Sequence, residues 1–355
     1  MLKTGFLILV ILFFITLAFI LFLYMIIYAK GEADLTEINN ANRNLSGYSI
    51  YFWGWVIPTE KSIEDFVNNS KKFTWVSPTW YYVDDKGNII ERAFDKKLIE
   101  VARENNVKIL PLIANKGFDP NIVSSIVRNK EIGDRVIDAL LKIVVEKNFD
   151  GINIDFEGIP SSEREYFTDF MKRLYLKFHE YGKLISIDVP AKTHEVYEGW
   201  SGAFDYKALS NYTDLFIIMI YDYHWSGGTP GPISPLDWFI SVLDYAVSNV
   251  PRKKIVAGIP FYGYDWPMNA RGRGVTYEQA ITIAKKYGAK VHFDFDKGEA
   301  HFTYNIVLER HEVWFNIAKS TELRIKTALE KGIDKTAAWR IGQEDPKTWK
   351  VIERH

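Results

Sequence analysis

Cysteine is absent from this 355-residue sequence, and charges of the two signs are nearly balanced. Without cysteine, the chain can form no disulfide, no thiolate metal site, no cysteine nucleophile and no lipid attachment through sulfur. The 44 basic and 45 acidic residues give a formal net charge of -1, so no overall field attracts nucleic acid or another polyanion. No G-x-G-x-x-G turn follows a strand-like segment, which argues against a dinucleotide-binding sheet. We therefore expect neither a nucleic-acid partner nor a cofactor.

Aromatic residues, by contrast, are abundant. They make up 15% of the sequence and include 11 Trp and 20 Tyr. Such a composition suits a surface that stacks against flat or ring-shaped ligands, although a large aromatic core would account for many of these residues. The length and the hydrophobic content of 47% fit one barrel-sized domain as well as two ordinary domains.

The first thirty residues predict a membrane anchor. Residues 5–29 carry no charge and are long enough to cross a hydrocarbon core of ~30 Å at ~1.5 Å per residue. No clear small-residue cleavage site follows, so an uncleaved anchor is preferred over a signal peptide. Lys3 favours a cytoplasmic amino terminus. We therefore expect a transmembrane anchor over 1–30, a linker over 31–47 and a folded domain over 48–355 that is membrane-anchored and extracytoplasmic, in the cell envelope.

From residue 48 onward, strand-like and helix-like segments alternate. Eight segments have strand patterns, namely 49–55, 73–83, 108–114, 151–157, 183–191, 214–223, 253–264 and 335–342. Amphipathic segments with helical spacing lie between them, including 96–106, 135–148, 164–180, 235–250 and 320–332. Alternating β and α elements predict parallel strands, and eight such units favour an α/β fold of the (β/α)8 TIM barrel type. An insertion over 265–319, between the seventh strand and its helix, alternates in part like a small hairpin and is expected to wall the cleft.

In such a barrel, the carboxyl ends of the strands face the active site. Applied to each strand in turn, this rule brings acids, amides, hydroxyls and aromatic rings to one mouth, which is the composition of a carbohydrate cleft. No metal site is expected there, because His224 is the one histidine near the strand ends. The residues placed at the mouth are Trp53 or Trp55, Tyr81 or Tyr82, Asn115, Asp155, Glu157, Asp188, Tyr221, Asp222, Tyr223, Tyr262, Asp265 and Trp339.

The fourth strand has a polar residue at every second position. Asn153, Asp155 and Glu157 alternate with apolar residues, so one face of the strand is apolar and the other carries two acids and an amide. Along an extended strand the two acids lie ~6.6 Å apart and point the same way. Both therefore approach a substrate from one side, and no opposing carboxylate nucleophile is evident.

The segment DGINIDFE resembles the D-G-x-D-x-D-x-E signature of glycoside hydrolase family 18, the chitinase family. Asp150, Asn153, Asp155 and Glu157 occupy its four polar positions. One position departs from the family, because Asn153 stands where the second aspartate is expected. Asp155 then cannot share a proton with a carboxyl neighbour at that position, although Asn153 can donate a hydrogen bond that keeps Asp155 ionised. Asp150 is out of phase with the other three, so a structural role competes with catalysis.

Two further segments extend the resemblance. IMIYDYH is similar to the family's M-x-Y-D motif through Met219, Tyr221 and Asp222, and AAWRIG resembles its last strand, which ends in a tryptophan, here Trp339. The resemblance covers residues 48–355. Segments such as PLIAN and WRIGQEDPKTW are similar to the bacterial branch that includes spore cortex-lytic N-acetylglucosaminidases.

The resemblance implies retaining, substrate-assisted hydrolysis of β-1,4-linked glycans that contain N-acetylglucosamine, through an oxazoline formed by the sugar's own 2-acetamido group. Glu157 would act as general acid and then base, with a pKa raised by its acidic neighbour and by desolvation. Asp155 would hold the acetamido N–H and stabilise the oxazolinium, and Tyr221 would donate to the acetamido oxygen. Trp339 would form the floor of the sugar subsite. The other substrate-binding residues expected are Asp222, Met219, Tyr223, Asn115, Trp53, Tyr82 and Asp265.

Three interpretations of the partner remain open at this point. Peptidoglycan is preferred, because the anchor and the bacterial resemblance both indicate a cell envelope. Chitin is the enzymatic alternative. A catalytically silent sugar-binding protein on the same barrel is the alternative from another class, but such proteins usually lack the terminal acid of the signature, and Glu157 is present.

Overall fold

The computed structural model describes residues 49–268 and 270–354. The predicted anchor over 1–30 and the linker over 31–47 lie outside the described residues. Within the described ranges, no helix has the length and apolar character needed to cross a membrane. On this finding the predicted membrane-anchored, extracytoplasmic location is corrected, and it is not proposed further.

The chain alternates strands and helices through most of its described length. The strands are β1 Tyr51–Val56, β2 Trp75–Pro78, β3 Tyr81–Val83, β4 Ile89–Glu91, β5 Lys108–Ile109, β6 Leu112–Asn115, β7 Gly151–Asp155, β8 Leu184–Pro190, β9 Leu215–Met219, β10 Ile255–Pro260, β11 Gly263–Pro267, β12 Arg273–Val275, β13 His292–Asp294, β14 Glu299–Ile306, β15 Glu309–Phe315 and β16 Lys335–Trp339. The α-helices are α1 Glu60–Asn69, α2 Lys96–Glu104, α3 Pro120–Arg128, α4 Lys130–Glu146, α5 Arg164–His179, α6 Tyr206–Leu209, α7 Leu236–Asn249, α8 Tyr277–Lys286, α9 Ala318–Glu330 and α10 Thr348–Arg354.

Parallel strands curl into a TIM-barrel-like α/β fold. β1 lies between β2 and β16, and β6, β7, β8, β9, β10 and β16 follow one another around the sheet. The second and third positions of the barrel each consist of two short strands, so that β2 pairs with β5 and β3 pairs with β6. The order of paired strands begins at β4 and ends at β5, and this curled, mostly parallel sheet is consistent with the barrel-like fold that the alternating pattern predicts.

Two of the predicted strands are interrupted. The sequence predicts unbroken strands over 73–83 and 108–114, whereas Pro78 ends β2 and Pro111 lies between β5 and β6. Proline has no backbone N–H to donate to a neighbouring strand. Each proline therefore coincides with a break in the ladder.

Aromatic and aliphatic side chains fill the inside of the barrel. Trp53, Trp55 and Trp75 pack there with smaller apolar residues from β6, β9, β10 and β16. Trp53 is fully buried and its ring lies 6.3 Å from that of Trp55. Trp53 lies one layer below Trp55, which lines the cavity at the mouth, so the structure does not place Trp53 at the cavity and its role in substrate binding stays a prediction.

The insertion is larger than the predicted hairpin. β11 to β15 form a five-stranded antiparallel sheet in the order β12-β11-β15-β14-β13. α8 packs on this sheet and begins at a capping box formed by Thr276 and Gln279. Gly263 permits the close approach of β11 to β15, since a Cβ atom there would lie 2.2 Å from the carbonyl oxygen of Trp314.

Candidate active site

A cavity of about 880 Å³ opens at the carboxyl ends of the barrel strands. It brings together acids from β7, β8 and the segment after β9 with aromatic rings from the loops and the insertion. Its carboxyl groups are Asp155, Glu157, Asp188 and Asp222, and its aromatic rings are Trp55, Phe118, Trp200, Tyr221, Trp225, Trp238, Tyr262, Tyr264 and Trp339. The predicted site residues Asp155, Glu157, Met219, Tyr221, Asp222 and Trp339 therefore share one cavity.

Glu157 lies two residues beyond the end of β7, and its main chain is held in place by a buried amide. The Oδ1 atom of Asn115 accepts a hydrogen bond from the Glu157 N–H at 2.9 Å, and the Nδ2 atom donates to the Glu157 carbonyl at 3.0 Å. Asn115 is thus a support for Glu157 and does not line the cavity formed by the described residues. Burial raises the pKa of Glu157 to about 7, and the charge of Asp222 adds to the shift. Glu157 can therefore carry a proton near neutral pH, as a general acid must.

Asp155 is buried beside two other acids. Burial raises the pKa of Asp155 well above its usual value, and the charges of Glu157 and Asp188 raise it further. The Oδ1 atom of Asp155 is buried and has no hydrogen-bond partner among the described residues. This oxygen is available to a ligand group that donates a hydrogen bond.

Asn153 does not make the contact that the sequence suggests. Its Nδ2 atom donates to the Oδ1 atom of Asp188 at 3.0 Å, while its Oδ1 atom accepts hydrogen bonds at 3.0 Å from Trp55 Nε1 and from Ser77 Oγ. The expected donation from Asn153 to Asp155 is therefore wrong. Because the amide is fully buried and connects β1, β2, β7 and β8, its function in the structure is to join these strands below the cavity.

Three tyrosines surround the acid that follows β9. Asp222 has a positive φ of 61° and accepts hydrogen bonds from the hydroxyl groups of Tyr262 at 2.5 Å and Tyr264 at 2.9 Å. Burial raises the pKa of Asp222, and these two hydrogen bonds oppose the rise. Burial also raises the pKa of Tyr221 well above its usual value, and the charge of Asp188 adds to the shift. Tyr221 therefore keeps its proton and can act as a hydrogen-bond donor.

Four further predicted residues lie away from the cavity in the described part of the chain. Asp150 precedes β7 at the opposite end of the barrel and accepts a hydrogen bond from the Ile109 N–H at 2.8 Å. This contact supports the structural role that the sequence also allows for Asp150, and a catalytic role stays a prediction. The other three, predicted to bind substrate, are Tyr82, Tyr223 and Asp265.

The contacts of these three residues explain their positions. Tyr82 lies in β3, accepts a hydrogen bond from Arg92 at 2.6 Å and packs against the apolar cluster inside the barrel. Tyr223 is 53% exposed and packs against Trp238, which lines the cavity, but Tyr223 is not itself among the lining residues. Asp265 is fully buried in the inserted sheet, where Arg273 donates to it at 2.9 Å. It is therefore a structural residue of the insertion.

Several lining residues carry no signal in the sequence. Phe118, Trp200, Trp225 and Trp238 come from segments outside the strands, so the rule for strand ends does not reach them. Tyr264 reaches the cavity from β11. Abundant aromatic residues indicate a stacking surface, but the sequence alone does not indicate which rings form it.

The sequence matches known proteins over most of its length. The profile of the family described as Glycosyl hydrolases family 18 matches residues 48–344. The chain is 28% identical to YdhD of Bacillus subtilis (strain 168), and the matched region covers 74% of this chain and 64% of YdhD. It is also 28% identical to the cortical fragment-lytic enzyme of Bacillus anthracis, over 83% of this chain and 71% of that protein. The chain thus spans about two thirds of the length of these relatives.

The fold is similar to that of solved structures. The crystal structure of the Bacillus cereus spore cortex-lytic enzyme SleL has a TM-score of 0.81 and 26% sequence identity, covering 86% of this chain and 74% of that chain. Because the similarity covers most of this chain, it extends well beyond the inserted sheet.

Proposed function

The chain belongs to glycosyl hydrolases family 18 and is a glycoside hydrolase, and on this premise we propose that its barrel, residues 48–355, cleaves β-1,4 bonds in N-acetylglucosamine-containing glycans with retention. The observation that carries this proposal is the pair formed by Glu157, whose pKa is raised to about 7, and Asp155, whose buried Oδ1 atom lacks a partner among the described residues. The aromatic rings around them suit stacking against sugar rings.

The reaction proceeds in two steps at these side chains. The carboxyl group of Glu157 gives its proton to the departing glycosidic oxygen while the 2-acetamido oxygen of the substrate attacks C1 and forms an oxazolinium ion. Asp155, as a carboxylate, accepts the acetamido N–H and stabilises the positive ring, and Tyr221 donates to the acetamido oxygen. The Glu157 carboxylate then takes a proton from water, which opens the oxazoline at C1 and restores the β configuration.

Peptidoglycan is the preferred substrate. The similar proteins from Bacillus anthracis and Bacillus cereus are named for lysis of the spore cortex or its fragments. Arg340 supports the same choice, since it is half-buried at the cavity and, although the charge of Glu344 attracts it, makes no direct hydrogen bond or ion pair with another described residue. A guanidinium group is well suited to bind a carboxylate. The lactyl group of N-acetylmuramic acid provides a carboxylate, whereas chitin has none.

Product analysis tests the proposal. Purified peptidoglycan and chitin oligomers are digested separately, and the products are identified by mass spectrometry. We expect muropeptide fragments with N-acetylglucosamine at the reducing end. Release of short chito-oligomers alone would select the chitin alternative, and N-acetylmuramic acid at the reducing end would show that the other bond of peptidoglycan is cleaved. No hydrolysis of either glycan would contradict the proposed function.

A further inference from the structure

Two buried acids lie opposite each other on neighbouring strands at the mouth of the barrel. The register of β7 and β8 pairs Asn153 with Ser186 and Ile154 with Ile187, so Asp155 and Asp188 are the next residues in register. Adjacent strands are ~4.8 Å apart. Both side chains line the cavity, and both are more than nine-tenths buried. The two carboxyl groups are therefore close neighbours in a desolvated site.

Such a site cannot hold all of its acids in the ionised form. Two carboxyl groups that share a desolvated site retain a proton between them, because two adjacent negative charges are costly there. Asn153 donates to Asp188 at 3.0 Å, which favours the negative charge on Asp188. Glu157 and Tyr221 interact electrostatically with both acids. The other titratable or charged groups that line the same cavity are Asp222, Tyr262, Tyr264 and Arg340.

We propose that Asp188 is the proton-sharing partner of Asp155, so that the two side chains together hold one proton and one negative charge. The departure at Asn153 removes a carboxyl group from β7, and Asp188 supplies one from the adjacent strand. Asn153 and Asp188 are joined by a hydrogen bond, so the amide and the acid occupy adjoining positions. Asp188 is a positioning residue that acts through Asp155.

The consequence for the reaction rests on the proposed function. In the free site the proton resides on Asp155, and Asp188 is the carboxylate that accepts from Asn153. When the oxazolinium forms, the O–H bond of Asp155 breaks and an O–H bond forms on Asp188. Asp155 then carries the negative charge that faces the positive ring, while the charge of the pair stays the same. No proton has to be exchanged with solvent at this step.

The variant Asp188→Asn tests this proposal through the pH dependence of kcat. The proposed working form of the pair holds one proton, so the acidic limb marks the pH at which the fully protonated pair loses its first proton. A pair of acids loses this proton at lower pH than a lone buried acid, because both carboxyl groups share the proton that remains. We therefore expect the acidic limb of the profile to move to higher pH by about one unit or more in Asp188→Asn, which is about a tenfold loss of kcat on that limb. KM should change much less, since Asp188 acts through Asp155.

An exchange of the two side chains provides the matched control. The double variant Asn153→Asp with Asp188→Asn moves the carboxyl group back to β7 and preserves the hydrogen bond with its direction reversed. We expect it to restore the acidic limb of the wild type. Asn153→Asp alone adds a third carboxyl group beside Asp155 and Asp188, so the acidic limb of its pH profile should differ from that of the wild type. An acidic limb that is the same in the wild type and in Asp188→Asn would overturn the proposal.

A measurement without substrate separates this proposal from the proposed function. Infrared spectra at pH 7 count the protonated carboxyl groups by their C=O stretching bands. Asp188→Asn should have one such band fewer than the wild type, and the exchanged double variant should retain it. An unchanged band in Asp188→Asn overturns proton sharing even if the enzyme is active, whereas a lost band supports it even if no glycan is cleaved. If the single variant Asp188→Asn does not fold, the double variant Asn153→Asp with Asp188→Asn takes its place. A folded double variant that lacks the C=O band of the shared proton also overturns proton sharing.

Discussion

Asn115 holds the main chain of Glu157 on both sides, accepting from its N–H at 2.9 Å and donating to its carbonyl oxygen at 3.0 Å. The position of the Glu157 carboxyl group therefore depends on the end of β6 as well as on β7. A change confined to the Glu157 side chain leaves these two hydrogen bonds in place. The loss of a proton donor can thus be separated from a loss of structure.

Glu157→Gln should abolish hydrolysis and preserve binding. The amide keeps the shape of the side chain but cannot protonate the departing oxygen, and general acid catalysis contributes about 10² to 10⁴-fold. The measurements are kcat on chito-oligomers and their Kd by calorimetry, with thermal unfolding as the control for folding. Retention of most of the activity would show that another group is the acid.

The pH dependence of kcat/KM should show whether Glu157 carries a proton. Because burial and Asp222 raise the pKa of Glu157 to about 7, the acid is protonated below this pH, and kcat/KM should fall as the pH rises through it. Asp222→Asn removes the neighbouring negative charge, so the pKa of Glu157 should fall and the basic limb should move to lower pH. A basic limb that stays in place in Asp222→Asn would contradict this assignment.

Arg340→Gln should distinguish the two glycans. Losing a charged hydrogen-bond donor that faces a carboxylate should lower kcat/KM for peptidoglycan on the order of tenfold. Chito-oligomers have no carboxylate, so their hydrolysis by the same variant is the internal control and should change little. Equal losses on both substrates would mean that Arg340 supports the cavity and does not select the substrate.

Asp265→Asn should affect stability and leave substrate binding intact. Asp265 is fully buried and contacts Arg273, Tyr304 and His311. Loss of its charge should lower the free energy of unfolding by on the order of 3 kcal/mol. Denaturant unfolding measures this change, and KM on chito-oligomers should stay the same. A large rise in KM with unchanged stability would show that Asp265 takes part in substrate binding.

The sequence predicts the barrel-like fold and the shared cavity of Asp155 and Glu157, for a local reason. Alternation in β7 places Asn153 and Asp155 on one face, and the strand direction brings Glu157, two residues beyond the end of β7, to the mouth. Depth along a strand is harder to predict. Trp53 and Trp55 point to the same side of β1, and their depth in the barrel decides which one lines the cavity.

Contacts between distant segments account for what the sequence does not predict. The polar partner of Asn153 is an acid on the next strand, and the hydrogen bond between them requires the register of β7 and β8. Asp265 follows the apolar segment of the seventh strand without a break in the pattern, but the chain leaves the barrel at Pro260 and enters a second sheet. Its ion-pair partner Arg273 lies in another strand of that sheet.

Substrate assistance is the central claim, and two matched substrates test it most directly. The 4-methylumbelliferyl β-glycosides of the N-acetylglucosamine disaccharide and of cellobiose have the same linkage and leaving group, and they differ at C2 in the acetamido and hydroxyl groups. The intramolecular nucleophile is available only in the first, and well-placed intramolecular groups accelerate reactions by factors of about 10⁵ or more. We predict release of the fluorophore from the acetamido substrate and none above background from the 2-hydroxy substrate. Equal rates of hydrolysis of the two would contradict the account.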